Sequence, residues 1–115
     1  MLDRVREVCL ALPETSERLS HGQPTLFVGK KTFVMYLDNH HDDGRLALWC
    51  AAPAGMQEAL VTGEPEHYFR PPYVGHRGWV GVRLDRGLDF NEIAGAIEDA
   101  YCVIAPKRLV DSLTR

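Results

Sequence analysis

The sequence predicts an α+β domain in which an antiparallel sheet carries the N-terminal and C-terminal helices on one face. Three observations lead there. An amphipathic helical pattern stands at each end of the chain, and three runs rich in β-branched and aromatic residues, separated by glycine-bearing turns, fill the middle. The length of 115 residues suits one hydrophobic core, so the whole chain, 1–115, reads as a single domain.

The elements follow in order. Leu2, Val5, Cys9 and Leu12, with Val8 beside them, form one face of a helix, while Asp3, Arg4, Arg6 and Glu7 lie off it; Pro13 stops the helix. Glu14 to Gln23 is polar and turn-rich and reads as a loop with room for a short strand. Thr25 to Val28, Thr32 to Leu37 and Arg45 to Cys50 then read as a three-stranded meander, turned first at Gly29 and next through the turn formers of "DNHHDDG". Pro53 opens a short helix, Ala54 to Val61, that Gly63 ends. Glu64 to Gly78 reads as a long structured loop, with a strand at Tyr68 or Tyr73. Trp79, Val80, Val82 and Leu84 make a strand whose Gly81 signals a bulge or a close backbone approach. Asp89 and Glu92 resemble a capping box for a helix from Phe90 to Ile104, the clearest in the chain. Pro106 ends it, and Leu109, Val110 and Leu113 suit a last helical turn.

Hydrophobic residues at 45% and charged residues at 25% are the mixture of a globular domain. The N-terminal "MLDRVREVCLALPE" is too charged for a signal peptide, and no segment approaches the ~20 apolar residues of a membrane span, so the expectation is a cytoplasmic protein without a membrane partner. Cys9, Cys50 and Cys102 are widely spaced with no C-x-x-C pair, which points to reduced thiols rather than a disulfide framework or a zinc knuckle. Sixteen acidic against 13 basic residues, a net charge of −3, oppose a global attraction to nucleic acid and leave only a local basic face.

Chemistry is less sharply written. "NHHDDG", Asn39 to Gly44, is the one cluster of metal-type residues, but neighbours in a turn rarely aim at one point, so it reads as an exposed hairpin tip and no metal is expected. "GHRGWVG", Gly75 to Gly81, offers amides and a guanidinium to an anion, yet it runs into a strand where phosphate loops run into a helix. Ser16, Ser20 and Ser112 lie in no nucleophile elbow, and Cys50 ends a buried strand; no catalytic residue, enzymatic activity or cofactor is expected. The remaining leads are basic and aromatic. Lys30, Lys31, Arg45, Arg77, Lys107 and Arg108 are candidates for phosphate contacts, while Trp49, Tyr73, His76 and Trp79 are candidates for a small-ligand or protein-binding site.

The layout as a whole resembles the MmcQ/YjbR family. The resemblance rests on "CLALPETSE", the "GQPTLFVGKKTFVMY" hairpin, the "LALWC" and "GWVGVRLD" strands and the "YCVIAPKRL" close, and it spans nearly the whole chain. It implies a CyaY-like, or frataxin-like, arrangement of helices on one face of an antiparallel sheet, and a bacterial double-wing DNA-binding or regulatory module. It brings no enzymatic activity and no cofactor. The acidic ridge with which frataxins bind iron has no counterpart in a first helix that mixes Asp3 and Glu7 with Arg4 and Arg6.

Overall fold

The computed structural model describes residues 1–113. In chain order the elements are α1 (Leu2–Leu10), β1 (Thr15–Ser20), β2 (Gln23–Val28), β3 (Lys31–Asp38), β4 (Leu46–Cys50), α2 (Met56–Gly63), β5 (Tyr68–Phe69), β6 (Val80–Arg83), α3 (Phe90–Ile104) and α4 (Lys107–Asp111). Among the described residues six strands form one antiparallel sheet in the order β1-β2-β3-β4-β6-β5. α3 lies over β3 and β4, and α1 packs on α3 and β1. This is the predicted α+β arrangement. No helix among the described residues is long and apolar enough to cross a membrane.

The two end helices are held by their apolar stripes. Val5 and Cys9 of α1 and Ile93, Ile97, Ala100 and Tyr101 of α3 are buried, and each large aliphatic side chain so buried contributes about 1.5–3 kcal/mol. Asp89 caps α3 by accepting the Asn91 N–H at 2.8 Å. The Thr15 hydroxyl meets both the Cys9 and Leu12 carbonyls at 2.8 Å, which ties the start of β1 to the end of α1. The Tyr101 hydroxyl donates to the Pro13 carbonyl at 2.9 Å, so the α1–β1 corner is tied to α3. Arg6 adds a two-pronged bond to Glu17, 2.7 and 2.8 Å, between α1 and β1.

The meander lies where it was expected, and the segment before it holds more strand than loop. The short strand for which Glu14 to Gln23 left room is the edge strand Thr15–Ser20, paired from Thr15↔Val28 to Ser20↔Gln23. Its polar sequence hid its extent because an edge strand buries little and keeps charge and polarity outward, with Leu19 74% exposed. The two-residue turn His21-Gly22 has positive φ at both positions, 52° and 78°, as a tight hairpin of matching twist requires. α2 starts at Met56 rather than Ala54 because Gly55, at φ 85°, still belongs to the turn after Pro53. In the long loop Tyr68 begins a strand and Tyr73 does not.

Gly81 is a close approach rather than a bulge. Arg18, Thr25, Met35, Trp49, Gly81 and Phe69 are successive partners across all six strands, and a Cβ on Gly81 would fall within the Phe69 ring. The bulge of the sheet lies in β3 instead. Leu26 pairs with Val34 and Phe27 with Thr32, which leaves Phe33 as the extra residue. Phe33 turns to the helices and meets Tyr101 edge-on at 5.9 Å. Gly81→Ala should cost about 1–3 kcal/mol by overpacking, read as a lower urea midpoint at unchanged slope. Adding Phe69→Leu should recover part of that loss, because the clash is with this ring alone.

Candidate functional site

The row that crosses the sheet from Arg18 to Phe69 faces away from the helices. At its two ends arginines cover the aromatic rings: the Arg18 guanidinium lies 4.0 Å from the Phe27 ring centre, and that of Arg45 lies 4.0 Å from Phe69. Between them the open face holds a pocket of about 440 Å³. Met35, Leu37 and Trp49 of β3 and β4 form its floor. Three loops wall it: the β1–β2 turn through His21, the β3–β4 loop through His40 and His41, and the β5–β6 loop through Tyr73 and Val74. Its size and largely apolar, aromatic lining are those of a small-molecule site.

The rings of the wall touch one another. His40 and His41 stack at 4.0 Å and 21°, His40 stands edge-on to Trp49 at 5.0 Å and 83°, and Tyr73 is 6.3 Å from each histidine and 6.4 Å from Trp49. The Tyr73 hydroxyl lies 3.5 Å from His41 Nδ1. Trp49 is only 3% exposed. Among the described residues its Nε1 and the Nε2 of His40 are buried with no hydrogen-bond partner. An orphaned buried polar atom of this kind costs about 1–3 kcal/mol, which folded proteins rarely leave uncompensated without a functional reason.

Backbone strain gathers at the same rim. Among the described residues six non-glycine positions have positive φ, and five of them, His21, Asn39, His41, Asp42 and Tyr73, lie in the three walling loops. Asn39 stabilises its loop by accepting the Gly44 N–H at 2.8 Å, and Asp43 accepts the Arg45 N–H at 2.9 Å. At Tyr73, a bulky residue at φ 65°, the Val74 N–H donates to the Pro72 carbonyl at 2.7 Å, a three-residue turn that forces the positive φ. Gln57 of α2 anchors the rest of its loop, with Nε2 donating to the Gly75 and Trp79 carbonyls and Oε1 accepting from Arg70 at 3.2 Å.

The family model described as YjbR matches residues 10–103. The chain belongs to the YjbR family. A solved relative in fold is the DUF419 domain of Deinococcus radiodurans protein DR2400, whose crystal structure superposes with a TM-score of 0.79 over 98% of this chain and 87% of that one, at 19% identity. None of the curated proteins matches the chain.

In this YjbR-family chain the aromatic candidates divide. Trp49 and Tyr73 meet in the pocket; His76 and Trp79 do not line it. His76 is exposed on a 3-10 turn, Gly75–Arg77. Trp79 is buried at 3% exposure, with the Arg77 guanidinium 5.2 Å from its ring centre. "NHHDDG" does turn the hairpin, and His41, Asp42, Asp43 and Gly44 are exposed there as a hairpin tip should be, while His40 is half-buried edge-on to Trp49. Sequence reasoning missed His21, His40, His41 and Gln57 as parts of the site, because the loop that carries two of them reads only as turn formers. Among the described residues no three His, Cys, Asp or Glu side chains gather as ion ligands.

The basic candidates divide as well. Lys30 and Lys31 are exposed on the β2–β3 turn and form no ion pair among the described residues. Arg108 comes to the same end of the sheet, because it grips Glu14 at 2.9 and 3.1 Å and the Glu14 carbonyl accepts the Gly29 N–H. That grip holds the Glu14 carboxyl below the usual range and the Arg108 guanidinium above it. Lys107 pairs with Asp111 at 2.7 Å. Arg77 precedes β6 at this end too, whereas Arg45 lies at the other end of the eight-residue β3, roughly 23 Å away at ~3.3 Å per residue. Two of the three thiols are shielded: burial pushes Cys9 up to about 12 and raises Cys50 as well, so both stay protonated at neutral pH, while Cys102 is exposed on α3.

If Tyr73 is strained, glycine should be preferred over alanine there, against the usual order. Tyr73→Gly should therefore exceed Tyr73→Ala in stability by about 1–2 kcal/mol. Urea unfolding of the two variants compares equal truncations, so the difference isolates the backbone.

Proposed function

We propose that this YjbR-family protein is a small-ligand-binding module whose site is the pocket over Trp49. The observation that carries this reading is a pair of buried nitrogens without a partner among the described residues, Trp49 Nε1 and His40 Nε2, on two side chains that line a 440 Å³ aromatic pocket. Concave, apolar sites with a few polar anchors are where small molecules bind, and strained rims accompany binding loops. The open face supplies both, and three independent loops converge on it.

The reading is tested by titrating a general fragment set into the ¹⁵N-labelled protein. Binding should move the amides of residues 20–23, 39–44 and 73–74 together, and Met35→Phe, which fills the floor, should weaken it at least tenfold. Fragments that move only amides elsewhere, or an affinity indifferent to Met35→Phe, would overturn it.

A second reading, DNA binding, is favoured by one observation: Lys30 and Lys31 stand exposed and without ionic partners at the end of the sheet that also carries Arg77. Three phosphate contacts at about −0.9 each would make the affinity fall with salt at a log–log slope of about −2.7 on duplex DNA. Fluorescence anisotropy of a labelled duplex should show that slope, and Lys30→Glu with Lys31→Glu should reduce it to about −1. A slope near zero, or one unchanged in the variant, removes this reading without touching the pocket.

A further inference from the structure

We infer that the pocket takes an uncharged, planar aromatic ligand bearing a hydrogen-bond acceptor, which receives the Trp49 Nε1–H. The inference rests on the pocket reading above and names the chemistry of its occupant.

Charge is the first discriminator. None of the residues lining the pocket is an Asp, Glu, Lys or Arg. Charged groups on the same face and in the walling loops are engaged elsewhere: Arg18 lies over Phe27, Arg45 lies over Phe69 and pairs with Asp43, and the Asp42 carboxylate accepts from the Asn39 amide. A carboxylate, phosphate or ammonium entering here would leave water without a permanently charged partner, and such transfers are costly. A neutral ligand escapes that cost.

Shape is the second. Trp49, His40, His41 and Tyr73 present ring faces and edges at angles from near-parallel to perpendicular, with centroids 4.0–6.4 Å apart. Aromatic groups favour offset-stacked and edge-to-face contacts at about 4.5–7 Å, so a flat ring added to this cluster finds such partners on several sides. A saturated ring of equal size does not.

Polarity is the third. An indole N–H only donates, so the group that satisfies Trp49 is an acceptor such as a carbonyl or a ring nitrogen. His40 Nε2 donates or accepts according to its tautomer, and its ring is in edge contact with Trp49. Because the Trp49 nitrogen is covered, the ligand reaches it by moving a wall side chain. Tyr73 is suited to yield, being 66% exposed and held to the far wall by edge-on ring contacts and the 3.5 Å approach to His41.

The test follows the Trp49 indole N–H cross-peak in ¹⁵N-labelled full-length protein, assigned by its loss in Trp49→Phe. The probes are three neutral planar acceptors, benzamide, nicotinamide and 2-quinolone, against benzoate, benzylamine and cyclohexanecarboxamide. The expected result is a saturable downfield shift of the Trp49 cross-peak with at least one neutral planar probe, the Trp79 cross-peak unmoved, and at least tenfold weaker binding of the other three. Benzoate or benzylamine binding as tightly as the neutral set overturns the charge argument, and cyclohexanecarboxamide doing so overturns planarity; both leave the pocket as a binding site. Pocket amides that move while the indole N–H stays still overturn the assignment of the acceptor to Trp49. If no probe of either set perturbs the pocket, this inference falls, and the pocket reading falls with it if the general fragment set also fails.

Discussion

Because β3 carries one residue more than β2 between its pairings at Val34 and Thr32, Phe33 and Val34 fall on the same side of the sheet. Both then serve the helix-covered core, where Phe33 is fully buried against Tyr101. Past the bulge the ordinary alternation resumes with Met35 and Leu37 on the open face, in line with Trp49. Without that extra residue, either Phe33 would leave the core or Met35 and Leu37 would leave the pocket floor. The bulge therefore lets one strand supply a continuous core to one side and the floor of the pocket to the other.

A sheet with helices on one face still has to manage the other. Here the open face is finished by side chains rather than by a second layer. Phe27 and Phe69, toward the two edges, each receive an arginine, whose planar guanidinium covers the ring while remaining hydrated. Gly81 allows Phe69 to lie flat against the sheet. The middle of the face, over Trp49, is instead covered by loops, and those loops are strained at five non-glycine positions. Where the fold could have closed the face with an apolar side chain, it holds two unpaired nitrogens and a cavity. That contrast between finished edges and unfinished centre is what marks the centre as functional ground.

Charge is organised separately. The end of the sheet at the β2–β3 turn concentrates cations, but Glu14 and Asp111 engage Arg108 and Lys107 there. Exposed pairs of this kind add little stability; among the described residues they leave the turn lysines and Arg77 as cations of that end without an ion pair. The pocket opens on the open face instead, and its lining carries no carboxylate, ammonium or guanidinium. The two surfaces can be tested, and disabled, independently.

Much of the fold was readable in the sequence, because it depends on periodicity and on local stops. Apolar spacing at 3.6 and capping by Asp89 define α3 to the residue, Pro13 and Pro106 end helices wherever they are placed, and alternation with glycine turns defines β2 to β4. Gly81 in a strand likewise announced a close approach. Family membership was legible for the same reason, since it rests on the order of these elements. The site was legible only as a list of residue types. Trp49 and Tyr73 stood out as aromatics, but their meeting with His40 and His41 depends on a loop turned back by left-handed residues. It depends too on a second loop that crosses the face under the hold of Gln57. The full extent of the edge strand β1 was equally silent, because hydrogen bonding to one neighbour leaves little mark on side-chain choice. Local sequence determines which backbone shapes are permitted; which rings meet across 24 to 32 residues of chain, and which nitrogens lose their partners there, is decided only when the sheet closes and the loops pack onto it.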